Sequence, residues 1–205
     1  MLKELHDTLV YCDHIAWYYL NTRWHNPAMD WVMPFFRNQW FWAPLYFFLF
    51  LFMPSRFGKS GWLWCLVFFA SFVLSDQVSA TLLKPVFNRI RPCNDPYFAS
   101  IVHIIVPCGS GLSFPSSHAS NHFSMAVFSA VTLSRSVKWI WAVAIGWALL
   151  VAYSQVYVGV HFPLDVICGG LLGSVIGYCM GKLFNKFTPL IMSPGKSSVV
   201  SHHKE

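Results

Sequence analysis

Charge is what this chain has least of. Lys and Arg number 14 and Asp and Glu 8 in 205 residues, so 11% of the chain is charged while 56% is hydrophobic and 18% aromatic. A soluble domain of this length needs far more polar surface, and that class is excluded. Acidic residues are too sparse to form a cluster that would hold magnesium, and no cofactor or metal is expected. Segments of alternating polarity about ten residues long, the mark of a membrane barrel, are missing. So are internal repeats and linkers. The formal charge of +6 comes without aromatic and basic residues gathered on a soluble face, which leaves no case for nucleic acid. The first residues also lack a basic start, an unbroken apolar stretch and a small-residue cleavage site. The first span is therefore expected to be an uncleaved anchor.

What the chain does have is apolar runs approaching the ~20 residues that cross a bilayer. Five spans are predicted at Trp40–Met53, Gly61–Leu83, Pro115–Ser134, Lys138–Val158 and Pro163–Phe184, the first one short. Backbone in lipid must satisfy its own hydrogen bonds, so these are helices. The fold class is all-α, a polytopic membrane helix bundle of about five transmembrane helices plus an N-terminal interfacial helix. Residues 1–36 mix Leu5, Leu9, Val10, Ile15 and Tyr18 with charged neighbours, as a helix lying in the interface does. Residues 37–187 form the membrane-embedded domain, and 188–205 read as a disordered tail. Arg56 and Lys59, Arg135 and Lys138, then Lys182 and Lys186 fall on one side of alternating spans, which should be cytosolic. The Lys84–Phe114 loop and the Gly159–Phe162 connection then face away from the cytosol together.

Cys65, Cys168 and Cys179 lie within spans and read as packing residues. Cys93 and Cys108 share the outward loop, where an oxidising compartment of a bacterial envelope protein favours a disulfide over free thiols. Closing that loop would contribute roughly 3 kcal/mol.

The outward side also gathers the chemistry. Lys84 and Arg91-Pro92 flank the end of the second span; alone, such a basic pair is usually topogenic. Pro115-Ser116-Ser117-His118 opens the third span as a helix N-terminus with free N–H groups, ready for an anion, although a Ser-Ser pair by itself is more often a cap. His161 precedes the fifth span, with Asp165 one turn inside it. The carboxylate can accept Nδ1–H, fix the tautomer and leave Nε2 free as a nucleophile; an isolated pair of this kind is as often a capped interfacial histidine.

Taken in this order, the pieces resemble the type 2 phosphatidic acid phosphatase superfamily. Its motifs run Lys-(six residues)-Arg-Pro, Pro-Ser-Gly-His and Ser-Arg-(five residues)-His-(three residues)-Asp. They stand here as Lys84…Arg91-Pro92, Pro115-Ser116-Ser117-His118 and Ser154-Gln155…His161…Asp165. The resemblance implies that Lys84, Arg91, Ser116, Ser117 and Gln155 hold phosphate. It implies that His161 attacks phosphorus to form a phosphohistidine, Asp165 orients it and His118 protonates the leaving group. The implied enzyme is a metal-independent phosphoric ester or diphosphate hydrolase acting on a lipid phosphate within membrane lipids. Its site faces the periplasm or cell exterior from a bacterial inner membrane. Undecaprenyl diphosphate is the favoured substrate, with phosphatidylglycerol phosphate, phosphatidate and lipid A phosphate as alternatives.

Two positions depart from the pattern. Ser117 replaces a glycine and adds a hydroxyl, and Gln155 replaces an arginine. Glutamine supplies neither charge nor a bidentate clamp. A weakened catalyst, or a lipid-phosphate binder without turnover, is the alternative this raises. Arg89 either compensates or is one more basic loop residue. Asp76, an acid inside the second span, either faces the site or bonds to Ser154 or Asn121.

Overall fold

The computed structural model describes residues 1–188 and Leu190. Among the described residues all regular structure is helical, with no strand. The α-helices are α1 (Leu2–Trp17), α2 (Pro27–Arg37), α3 (Ala43–Phe57), α4 (Lys59–Asp76), the short α5 (Lys84–Phe87), α6 (Ser117–Leu133), α7 (Ile140–Tyr157) and α8 (Pro163–Phe187). π-helical turns extend α1 through Tyr18–Arg23 and carry α4 through Gln77–Leu83 into α5. The stretch Lys59–Phe87, α7 and α8 are each long and apolar enough to cross a membrane. The other two expected spans correspond to α3 and α6, which have 15 and 17 residues. At 1.5 Å per residue these rise only about 22–26 Å.

Boundaries move for identifiable reasons. Residues Gln39–Trp42 form a 3-10 turn, so α3 starts three residues later than the apolar run. Ser116 takes the N-cap position, its Oγ accepting from the Ala119 N–H, so α6 begins at Ser117 rather than Pro115. The sequence reading missed α2 altogether. Its signature was present: Asn26 caps it, accepting from Met29 N–H at 3.0 Å, and Pro27 occupies the first turn. Since α2 runs to Arg37, the expected boundary after residue 36 cuts a helix. Nearly all of the expected tail, 188–205, lies outside the described residues.

The centre of the bundle is α6, on whose buried face Ser120, Ser124, Ala126, Phe128 and Ala130 are all inaccessible. Its tightest partner is α8. Gly169, Gly173 and Gly177 recur every fourth residue on α8, and a Cβ on Gly173 or Gly177 would run into the carbonyls of Ser120 and Ser124. This is the small-residue seam by which membrane helices approach closely. Polar bonds tie α4 to α6 as well: Ser75 to Ser120 at 2.6 Å, Ser124 Oγ to Ser71 O at 3.1 Å, and Trp64 Nε1 to Thr132 Oγ1 at 2.8 Å. Outward-facing Phe47, Phe48, Leu66, Phe69, Leu149, Leu171 and Val175 remain exposed, as a lipid-facing belt requires.

At one end, α1 and α2 close over the loops. Trp17 is fully buried against Phe98 and Phe162. Met33 of α2 packs with Tyr157 and Val158, and Tyr157 Oη donates to Asp30 at 2.6 Å. The N-terminal segment is thus bonded into the end of the bundle that carries the α5–α6 loop.

Candidate active site

The connection from α5 to α6 is folded back on itself. Asn88 turns the chain with a left-handed φ of 49°. Cys93 and Cys108 are joined by a disulfide, with Cα atoms 6.0 Å apart. Ser113 N–H donates to Arg89 O at 2.8 Å, and Asn94 Nδ2 donates to Gly109 O at 2.9 Å. Within this stapled loop Arg91 Nε donates to Gly111 O at 2.8 Å, which fixes the plane of a half-buried guanidinium.

The starts of α6 and α8 are locked together. Ser116 N–H donates to Asp165 O at 2.9 Å, and the Ser116 carbonyl lies where a Cβ on Gly169 would be. The turn before α8 is equally constrained. Gly159 adopts φ +83°, and a Cβ there would crowd His103 O and Val102. Asn21 Nδ2 bridges His103 O and Tyr157 O at 2.8 and 2.7 Å. Both Val160 and His161 donate their N–H to Gln155 O at 3.2 Å. The result sets His161 beside Asp165 at the same end as His118.

His161 is 1% exposed, and its Nδ1 lies 3.4 Å from Asp165 Oδ2, a contact that falls short of a formed hydrogen bond. Asp165 Oδ2 instead accepts from Phe162 N–H at 2.8 Å, and Oδ1 from Arg89 at 2.7 Å. Burial pushes the His161 imidazole down to about 4, against the pull of Asp165, with the charges of Arg91 and Lys84 adding to the drop. The ring is therefore neutral at pH 7, the form a nucleophile needs.

Arg89 corrects the sequence reading. It is not simply one more basic loop residue: it spans two buried carboxylates, Asp165 and, at 2.6 Å, Asp13 of α1. Its guanidinium lies 4.1 Å over the Phe162 ring. Asp13 also accepts Leu164 N–H at 2.7 Å, so α1 holds the first turn of α8. No sequence signal pointed from Asp13 to Arg89, 76 residues away.

Two further expected phosphate contacts have protein partners of their own. Ser116 is fully buried as the α6 cap, and Gln155 is fully buried with its Oε1 accepting from Arg37 Nε at 3.4 Å. Ser117 Oγ accepts from Ser79 at 3.0 Å. Asp76 bonds Asn121 at 2.9 Å, the structural alternative, while also lining the cleft described next. Lys84 and Arg91 form no ion pair among the described residues.

A cleft of about 940 Å³ opens between α3, α4 and α6. Asp76, Ser117 and His118 line its polar part, and Tyr46, Phe68, Phe72 and Met125 its apolar part. An apolar cleft with His118 in its polar part, at the end of the bundle where the starts of α6 and α8 are bonded together, is the arrangement expected of a membrane phosphatase for lipid-borne phosphate.

The comparisons with known proteins agree. Residues 65–189 match the PAP2 superfamily model, and the chain belongs to that family of lipid phosphatases. The lipid A 4'-phosphatase of Bacteroides thetaiotaomicron is 29% identical over 181 residues, covering 85% of this chain and 80% of that protein. The undecaprenyl-diphosphatase of Sulfolobus acidocaldarius is 36% identical over 141 residues, 69% of this chain and 62% of that one. The crystal structure of a transmembrane PAP2-type phosphatidylglycerolphosphate phosphatase from Bacillus subtilis superposes with a TM-score of 0.62. The two chains are 26% identical, with 88% of this chain and 87% of that chain covered.

Proposed function

We propose that this chain hydrolyses the phosphate of a lipid through a phosphohistidine, with its site opening to the extracytoplasmic side of a bacterial inner membrane. One observation carries the reading: the Ser116-to-Asp165 backbone bond ties the start of α8, which His161 precedes, to the start of α6, whose His118 lines the apolar cleft. Lys84, Arg91, the Ser117 hydroxyl and the free amides at the start of α6 bind the phosphate oxygens. His161 Nε2 attacks phosphorus, the P–O bond to the lipid breaks, and His118 gives the departing oxygen its proton. Water, deprotonated by His118, then opens the P–N bond and releases inorganic phosphate. Protein cations and helix amides meet the developing charge, so the step proceeds without a metal.

Among lipid phosphates, a phosphorylated glycolipid of the lipid A type is the first choice, because the relative bearing that name aligns along most of both chains. It displaces undecaprenyl diphosphate, which the sequence favoured and which keeps the support of a more identical but shorter match. The test is phosphate release in detergent with EDTA from lipid A, undecaprenyl diphosphate, phosphatidylglycerol phosphate and phosphatidate, for the parent chain and His161→Ala. EDTA-resistant release that His161→Ala abolishes is expected, fastest with lipid A. Release that survives His161→Ala would end the phosphohistidine route.

A further inference from the structure

Arg37, at the last residue of α2, is a guanidinium without a counter-ion. Among the described residues it makes no ion pair, and its side chain forms one hydrogen bond, the 3.4 Å contact from Nε to Gln155 Oε1. That leaves both terminal nitrogens uncommitted. Gln155 is fully buried, its Nε2 is also without a partner, and its backbone carbonyl holds the N–H groups of Val160 and His161. Arg37 therefore stands one residue contact from the loop that carries the nucleophile. Burial lowers the Arg37 pKa with no carboxylate acting against it, and its charge in turn depresses Arg91, after burial itself. Arg37 and Arg91, both half-buried, act on each other as like charges, and an arginine stays charged under such conditions. A doubly charged anion bound by both would convert that repulsion into binding, and the buried, unpartnered Nε2 of Gln155 likewise needs an acceptor.

We infer that Arg37 is a ligand of the substrate phosphate, delivering from α2 the guanidinium that the superfamily's third motif places at position 155, where this chain has Gln155. The inference rests on the phosphatase reading of the site. Gln155 then acts as a neutral seat: its Oε1 orients Arg37, and its uncharged side chain does not repel a guanidinium arriving from a different helix. The fixing of α2 to α7 through Asp30 and Tyr157, at 2.6 Å, gives Arg37 a rigid base. The arrangement accounts for how the third motif can lose its arginine while Lys84 and Arg91 keep theirs, and it takes a phosphate monoester or diphosphate headgroup.

The experiment uses the full chain in detergent as four forms: parent, Arg37→Ala, Gln155→Arg, and both changes together. Three quantities are read: kcat/KM with the best lipid substrate, affinity for inorganic phosphate by competitive inhibition and by stabilisation against heat, and melting temperature without phosphate. Arg37→Ala is expected to lose roughly 10- to 100-fold in kcat/KM and a comparable factor in phosphate affinity, as removal of a charge-assisted contact does. Gln155→Arg alone is expected to lose activity, since it forces a second guanidinium against Arg37. The combined form is expected to recover most of the loss. If Arg37→Ala keeps phosphate affinity and kcat/KM within twofold of the parent, the inference is overturned. If its losses come with a lower melting temperature, the combined form decides: recovery supports the inference, and no recovery makes Arg37 a structural brace. Should the parent release no phosphate from any lipid, the phosphatase reading fails, while heat stabilisation by inorganic phosphate still reports on Arg37.

Discussion

Arg89 and Asp165 are bonded at 2.7 Å, and the same guanidinium reaches Asp13 at 2.6 Å, so the carboxylate beside His161 is held by a cation from the loop and, through it, by the first helix. Both carboxylates are inaccessible, whereas the Arg89 side chain is 22% exposed. Removing the cation leaves two buried negative charges facing each other. Arg89→Ala is expected to cost roughly 3–5 kcal/mol, toward the lower end because of that exposure, and to reduce kcat as Asp165 relaxes away from the imidazole. Asp13→Asn should cost less, and the two together less than their sum. Thermal melts with parallel kcat measurements check this; a stable, fully active Arg89→Ala would show that Asp165 keeps its place without the brace.

The disulfide between Cys93 and Cys108 closes the loop in which Gly111 O orients Arg91. Replacing both cysteines by serine should destabilise the loop by about 3 kcal/mol in the chain-entropy model. Because the helices are untouched, the expected signature is a raised KM with a smaller change in kcat. Mass measurement with and without reductant establishes the bond in the purified chain. A reduced protein with parental KM would mean that the hydrogen bonds from Asn94 and Ser113 suffice to place Arg91.

Much of this was legible in the sequence where chemistry is local. The start of α8 at Pro163, with Asp165 in its first turn, follows from the spacing His161-Phe162-Pro163-Leu164-Asp165. Lys84, Arg91 and His118 were marked by motif. What stayed hidden depends on long-range contact: Asp13 lies in the segment that composition assigned to the membrane surface and Arg37 just past its expected boundary, and their partners lie 76 and 118 residues away. The Asn26-Pro27 cap would have revealed α2, but nothing in the sequence aims its last arginine at Gln155. Ser116 shows the reverse case, a motif residue whose side chain went to the cap that its residue type ordinarily prefers.

The glycine seam lets α6, which carries His118, and α8, which follows His161, approach closely. Gly173→Ala is expected to force the helices apart, since its new methyl group would meet Ser120 backbone, which cannot yield as a side chain can. Both activity and folded yield should fall sharply. Gly146 on α7 is the control, with nothing within 4 Å of an added Cβ; Gly146→Ala should be neutral or stabilising by roughly 0.5–1 kcal/mol. Equal behaviour of the two variants in melting and phosphate release would refute a packing role for the seam.

The buried His161 makes a prediction about acid. Its pKa is lowered from an ordinary 6.5 to about 4, chiefly by burial. Between those two values the unfolded chain binds a proton that the folded chain does not, so this group contributes stability above pH 6.5 that is lost as pH falls toward 4. Over the same window the imidazole stays neutral in the folded enzyme and keeps its reactivity. Inactivation by diethylpyrocarbonate, restricted to the component that inorganic phosphate protects against, should therefore hold its rate from pH 7 down to about 5 before declining, and His161→Ala should remove that component. A midpoint near 6.5 would mean that the ring is solvated in the working enzyme and that burial does not tune the nucleophile.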